Sequence, residues 1–272
     1  MGYKTTSSVV LYNNDSKVLK KAIESLLAAT SDMSLFLIDN SKEDSLRTII
    51  NDIRVTYIHN PSNPGFGAAH NIAINLAIEA GSKYHFVVNP DIYFSGDVIT
   101  PMVKYMEQNV QAGMLMPQIL NTDGSIQYLP KLLPNPTTIL FRKLKTPKKL
   151  YEKFINNYEL RKVPDDLIYE APIISGCFTL LRLDAIKEIG GYDDNFFMYF
   201  EDWDLSRRMH ERYQTVYFPL VSVYHEYYSG ANKSLKLFKI YLKSAYCYFN
   251  KWGWLFDNKR KMINKKSLAQ FK

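Results

Sequence analysis

A chain of 272 residues, 46% of them hydrophobic, is long enough to bury a sizeable core in one α/β domain with appendages. Two cysteines, Cys177 and Cys247, without a Cys-x-x-Cys spacing exclude a disulfide framework and a thiolate zinc site; no uncharged apolar run approaches the ~18 residues that cross a bilayer, so a cytoplasmic, non-integral protein is expected. The formal charge of +7 resides in the tail: residues 233–272 carry eleven Lys and Arg against one acid, the remainder 23 basic and 26 acidic side chains, so nucleic acid is not an expected partner.

In chain order, Ser7-Ser-Val-Val-Leu-Tyr12 reads as a first strand, and Asn14 or Asp15 is placed to cap a helix whose Leu19, Ala22, Ile23, Leu26 and Leu27 share a face. Leu35-Phe-Leu-Ile38 is a second strand, ending at Asp39. Leu46, Ile49, Ile50 and Ile53 mark a helix, and Val55-Thr-Tyr-Ile58 a third strand. The loop Asn60-Pro-Ser-Asn-Pro-Gly-Phe-Gly67 leads into a helix with Ala69, Ile72, Ala73 and Leu76 inward. Tyr84-His-Phe-Val-Val88 is a buried strand that stops at Asn89-Pro90-Asp91, since proline cannot extend the ladder. Strands alternating with helices in this way predict a mostly parallel sheet covered by helices on both faces, with a ligand crevice beyond the strand ends at Tyr12, Asp39, Gly65 and Asp91.

Beyond the fourth strand, Val98, Met102, Tyr105 and Met106 suit a helix, Met114-Leu-Met116 a strand and Asn121-Thr-Asp-Gly124 a hairpin turn. Residues 129 to about 170 are rich in Pro and Lys and weakly periodic, which predicts a loop and helix excursion over the ligand edge. Ile173 to Leu181 returns to strand character, through Ser175-Gly176-Cys177. Gly190-Gly191 is a turn, Glu201-Asp202-Trp203-Asp204 opens a helix bearing Arg207, Arg208 and Arg212, and strands at Thr215–Phe218 and Val221–His225 follow. In the tail Leu235, Phe238, Leu242, Ala245 and Phe249 share one helical face, Lys236, Lys239 and Lys243 another, and Trp252-Gly-Trp254 follows. That pattern suits either an interfacial helix on anionic lipid or a helix packed on the body with a solvated lysine face.

Several side chains admit two readings from the residues alone. Asp91 either binds a ligand at a strand end or caps a turn. Asp202 is either a carboxylate base or a helix-capping acid, and its place at a helix N-terminus favours the anion; Asp204 points elsewhere and suits a structural pair with Arg207 or Arg208. His225 is either a metal ligand or a hydrogen-bonded core residue, and His70 is similarly ambiguous. Gly65 and Gly67 either let backbone amides approach an anion at a helix start or only close a tight turn.

Val9-Val-Leu-Tyr-Asn13, Ile38-Asp-Asn-Ser41, Asn63-Pro-Gly-Phe-Gly-Ala-Ala-His-Asn71, Asn89-Pro-Asp91, Gly190-Gly191 and Phe200-Glu-Asp-Trp-Asp-Leu205 stand in the order found in family 2 inverting glycosyltransferases of the GT-A fold. The chain resembles that family over roughly residues 5 to 228, and within it the rhamnosyltransferase-like members. The resemblance implies a domain over 1–232, with 1–120 as nucleotide-binding half and 121–232 as acceptor and catalytic half, followed by the basic helical extension 233–272. It implies that Tyr12, Asn13, Asp39, Gly65, Phe66, Asn71, Asn89 and Asp91 meet the nucleotide-sugar donor, that Asp91 and His225 ligate Mg²⁺ or Mn²⁺, and that Asp202 is the base. Gly176, Cys177, Glu201 and Trp203 are the residues expected on the acceptor side. Many relatives have Asp-x-Asp where Asn89-Pro90-Asp91 stands, so one acidic ligand is missing.

The implied function is transfer of a sugar, L-rhamnose from dTDP-rhamnose being preferred, to a saccharide or lipid-linked acceptor in bacterial cell-surface polysaccharide synthesis at the inner face of the membrane. A UDP-sugar donor is one alternative, and a catalytically silent carbohydrate-binding or scaffold protein on the same fold is another. A nucleotidyltransferase is disfavoured because no Gly-x-Gly-Thr-Arg loop follows the first strand.

Overall fold

In the computed structural model, which describes residues 5–226 and 234–271, strands β1 (Thr5–Leu11), β2 (Met33–Asp39), β3 (Val55–His59) and β4 (Tyr84–Val88) lie parallel in the order β3-β2-β1-β4. All of β1 and β4 is buried, as strands covered on both faces must be. β1 nevertheless opens with Thr5-Thr6-Ser7-Ser8, and this polarity is matched across the sheet: Thr6 Oγ1 meets His85 Nδ1 at 2.8 Å, while Ser8 Oγ meets both His85 Nε2 and His70 Nδ1 at 2.7 Å. Helix α1 (Ser16–Ala29) starts where Asp15 accepts from the Lys17 and Val18 N–H groups, and it buries the five residues expected from its periodicity. Helix α2 (Phe66–Glu79) buries Ala69 and Ala73 as expected, with Ile74 and Ala77 turned inward where Ile72 and Leu76 are half-buried.

The helix expected over Leu46 to Ile53 does not form. Asp44 pairs with Arg47, and Asp52 accepts from both the backbone N–H and the guanidinium of Arg54. These local bonds compete with helical ones, and Ile53 is left fully exposed.

After β5 (Ile92–Tyr93) and α3 (Ile99–Gln108), β6 (Ala112–Leu120) begins the second half of the sheet, and the turn at Asn121–Gly124 forms as expected. The Pro- and Lys-rich excursion contains α4 (Pro136–Leu144), α5 (Lys148–Tyr158) and β7 (Tyr169–Glu170). The strand expected from Ile173 is shorter: β8 covers Phe178–Arg182, and 173–177 is a loop whose Gly176 N–H is directed at Asp202 instead of a neighbouring strand. α6 (Leu183–Ile189), α7 (Glu201–His210) and β9 (Gln214–His225) complete the body, β9 joining the two expected strands across a register shift opposite Pro117 and Gln118.

The sheet continues β4-β8-β6-β9-β5, with β7 also on β9; β8 runs antiparallel to β4 and β6, β9 parallel to β6, and β5 antiparallel to β9. The body-to-tail boundary expected at residue 232 lies outside the described residues. α8 (Leu235–Trp252) packs Ala245, Tyr248 and Phe249 against Phe196, Phe200 and Trp203. α9 (Asn258–Ala269) is tied to the body by Asn264, whose side-chain amide bonds both the N–H and the C=O of Leu133. The described tail is therefore joined to the body by a packed core, and of its expected apolar face only Ala245 and Phe249 are buried.

Candidate active site

The C-terminal ends of β1 and β4 and the start of α2 enclose a cleft of about 250 Å³. Tyr12 stands exposed on its wall, next to Asn13, whose left-handed backbone (φ 51°) lets its N–H reach Ser41 Oγ at 2.9 Å. Asp39 is fully buried with both oxygens engaged, accepting from Tyr57 Oη at 2.5 Å and the Ser41 N–H at 2.8 Å. It secures the turn, and the adjacent Asn40, which the sequence did not single out, lines the cleft instead. Opposite lie Gly65 and Phe66. A Cβ on Gly65 (φ 112°, ψ 176°) would fall 2.3 Å from the carbonyl oxygen of Phe197, which accepts from the Phe66 N–H, so only glycine fits.

At the other end Asn89 and Asp91 line the cleft beside His225. β5 pairs Ile92 with His225, which brings the imidazole Nε2 to 3.3 Å from Asp91 Oδ1 and 3.4 Å from Asn89 Nδ2. Gln127 fixes the tautomer. Its amide nitrogen donates to the His225 carbonyl at 3.1 Å, so its oxygen must be the atom that faces His225 Nδ1, also at 3.1 Å. Nδ1 then carries a proton, and in the neutral ring Nε2 is the lone-pair nitrogen that faces Asp91. Asp91 Oδ1 is buried and accepts no hydrogen bond. A lone pair facing a carboxylate oxygen is the donor set of a shared cation. The described residues contain no cluster of three or more His, Cys, Asp or Glu, so a divalent ion here would have two protein ligands and take the rest from phosphate oxygens and water, as Mg²⁺ and Mn²⁺ readily do.

Asp202 lies in the first turn of α7, behind Phe66. A Cβ on Gly176 would lie 3.4 Å from Asp202 Cβ and 3.6 Å from the Phe66 ring. Asp202 Oδ2 accepts from the Gly176 N–H at 3.2 Å, and Oδ1 from the Trp203 N–H at 2.9 Å. Burial raises its pKa, against the lowering effect of the Gly176 bond and the Lys131 ammonium, so the helix-terminus effect expected from sequence is outweighed by desolvation. Burial and the Asp202 charge push Glu201 well above the ordinary carboxylate range. Lys131, also missed from sequence, is buried with Nζ donating to the Leu129 carbonyl at 2.9 Å, and burial lowers its pKa to about 8.

The backbone leading to Asp202 is strained, with Tyr199 (φ 69°) and Phe200 (φ 67°) both left-handed. Asp204 pairs with Arg208 at 2.8 Å, one of the two arginines expected, and also receives Lys251 and the Trp252 indole N–H from α8.

Other residues singled out from sequence lie away from the cleft. Asn71 exchanges two 2.8 Å bonds with the backbone of Tyr192 and holds the Gly190–Tyr192 turn against α2. His70 is fully buried, with burial lowering its pKa far below the ordinary value. Trp203 packs on Phe200 and Tyr248 in the second core. Cys177 is buried, its thiol pushed up to about 12, though its carbonyl accepts from the Asn89 N–H and so links the two ends of the site.

The family model for glycosyl transferase family 2 matches residues 8–190, a span containing the whole cleft wall from Tyr12 to Asp91. The chain belongs to this family. As a glycosyltransferase it is 27% identical over 221 residues to the N-acetylglucosaminyl-diphospho-decaprenol L-rhamnosyltransferase of Mycobacterium tuberculosis (strain CDC 1551 / Oshkosh), covering 76% of this chain and 71% of that one. It is 24% identical over 250 residues to the rhamnosyltransferase WbbL of Escherichia coli (strain K12), covering 88% and 90%. In fold it is similar to the crystal structure of GalNAc-T7 with UDP, GalNAc and Mn2+ (TM-score 0.64, 15% identity), with 90% of this chain superposed on 48% of that one, about half its length. The glycosyltransferase therefore has a GT-A-type fold.

Proposed function

We propose that this glycosyltransferase moves a sugar from a nucleoside diphosphate to an acceptor hydroxyl with inversion. The observation that carries the reading is the shared wall of the site: Phe66 lines the cleft that contains Asp91 and also lies against Gly176, whose N–H is bonded to Asp202. A donor with its diphosphate at Asp91 has its sugar directed toward Phe66 and Asp202. The Asp202 carboxylate takes the acceptor proton as the acceptor oxygen attacks the anomeric carbon, a contribution of about 10²–10⁴-fold. Asp91 and His225 would hold the Mg²⁺ or Mn²⁺. Bound there, the ion would neutralise charge on the diphosphate leaving group.

L-rhamnose carried on dTDP is the preferred donor, supported by the names of the two rhamnosyltransferase relatives. The mycobacterial relative's name also supports an acceptor on a lipid diphosphate, which would bring the enzyme to the inner face of the cell membrane. In this reading residues 1–120 bind the donor, while 121–232 provide the base and the acceptor side.

The test is nucleotide release from dTDP-, UDP- and GDP-sugars with and without Mn²⁺, comparing wild type with Asp202→Asn. Release from dTDP-rhamnose that falls at least about 100-fold in the variant, with donor affinity kept, is the expected result. Release from a UDP-sugar alone would replace the donor, and undiminished turnover in Asp202→Asn would remove the base.

A further inference from the structure

One surface of the molecule combines exposed leucines with lysines. Every residue from 143 to 150, where α4 turns into α5, is exposed. The turn contains Lys143, Lys145, Lys148 and Lys149, with Leu144 and Leu150 at 57% and 58% exposure. α8 continues the pattern: Leu235, Phe238, Leu242 and Tyr246 recur at spacings of three and four, so they form one stripe, and all four are exposed. Lys236, Lys239 and Lys243 run along its flank, while Ser244 and Tyr248 on the opposite face are buried against the body.

The two segments meet, since Lys143 Nζ lies 5.2 Å from the Phe238 ring centre and 5.1 Å from that of Tyr241. Together α4, the turn, α5 and α8 carry ten Lys and Arg and a single acid, Glu152. Both helices leave apolar side chains uncovered within this field of positive charge. A second copy of the chain would set ten cations against ten, so the charge selects an anionic occupant. Leucine and aromatic side chains interleaved with lysines match the boundary of a bilayer, where apolar groups enter the acyl edge and ammonium groups reach lipid phosphates.

We propose that the α4–α5 turn and the exposed stripe of α8 form one docking surface for an anionic lipid bilayer. No described helix is long and apolar enough to cross a membrane, so the attachment is peripheral. Phe197 lines both the catalytic cleft and a hollow with Lys236 and Lys243, so docking sets that side of the cleft at headgroup level. This last consequence rests on the lipid-linked acceptor proposed above; the docking itself does not.

The experiment is flotation of the full chain with vesicles of phosphatidylglycerol and phosphatidylcholine, or phosphatidylcholine alone, at low and high salt. Wild type should float with the anionic vesicles and be released by salt. Leu144→Asp with Leu150→Asp should weaken partitioning by about tenfold or more, and Lys145, Lys148 and Lys149 changed together to Gln by a similar factor. Thermal melting and donor hydrolysis in solution should be unchanged in both, because all five side chains are exposed and outside the cleft. Equal flotation of wild type and both variants, or no flotation of wild type, overturns the proposal. So does a lipid-free dimer that the leucine variants dissociate, which would assign the surface to self-association. None of these readings requires a sugar donor, so the proposal fails or stands separately from the transferase reading.

Discussion

Single side chains set the chemistry, and two of the most informative were invisible in the sequence. Gln127 is an ordinary polar residue after a hairpin, and only the fold places its amide against both the carbonyl and the ring of His225. Gln127→Ala should release the tautomer and weaken the Mn²⁺ dependence of donor turnover by about 10–100-fold at unchanged folding; metal titration checks it, and an unaltered titration would detach Gln127 from the ion. Lys131 lies 71 positions before Asp202 in the chain, so no spacing could pair them. Its ammonium lowers the pKa of Asp202, which burial raises. The proposed base would work deprotonated, so activity should fall as pH drops through that raised pKa. Lys131→Met removes the lowering charge, and the acid limb of the kcat/KM profile should move to higher pH, with little change on the alkaline plateau. An unmoved limb would show that Lys131 does not act on the base. Asp39 and Asn71 were legible as important residues, but what the structure gives them is hydrogen bonds that shape turns.

At the scale of elements, legibility followed periodicity. α1 was readable because five apolar residues and an Asp cap agree, and β4 because an apolar run ends at proline. The segment 46–53 misled because four apolar residues at helical spacing say nothing of the local bonds that Asp44 and Asp52 make to Arg47 and Arg54. The loop 173–177 looked like strand because Ile173, Ile174 and Cys177 continue the apolar run into Phe178; its backbone is used by Asp202 and Asn89 instead. The Gly65 turn is where one element depends most sharply on one residue. Gly65→Ala should cost about 1–3 kcal/mol from its backbone conformation alone. It should also push Phe197 away and weaken donor binding. Chemical denaturation together with nucleotide affinity tests this, and a variant as stable as wild type with unchanged affinity would refute it.

For the whole molecule, the tail's charge was plain in the composition, but its integration into the body was not. Arg207 of α7 and Asp257 before α9 form a buried pair at 2.7 Å, and the same guanidinium lies 4.2 Å from the ring centre of Trp252. Asp257→Asn leaves a buried charge uncompensated and should lower stability by about 3–5 kcal/mol, with a single cooperative transition at a reduced Tm; a melt within a degree of wild type would contradict it. The left-handed backbone at Tyr199 and Phe200 has its packing partners in the tail: Tyr241 lies 5.7 and 5.2 Å from their ring centres, Tyr248 lies 5.6 Å from Phe200, and Ser244 Oγ donates to the Met198 carbonyl. A ribosome delivers these partners last, so a nascent chain that has already formed its donor cleft still lacks what holds the approach to Asp202 in place. On the reading of Asp202 proposed above, a chain ended before α8 should still bind nucleotide but lose transfer, because Tyr241, Ser244 and Tyr248 no longer back the approach to α7.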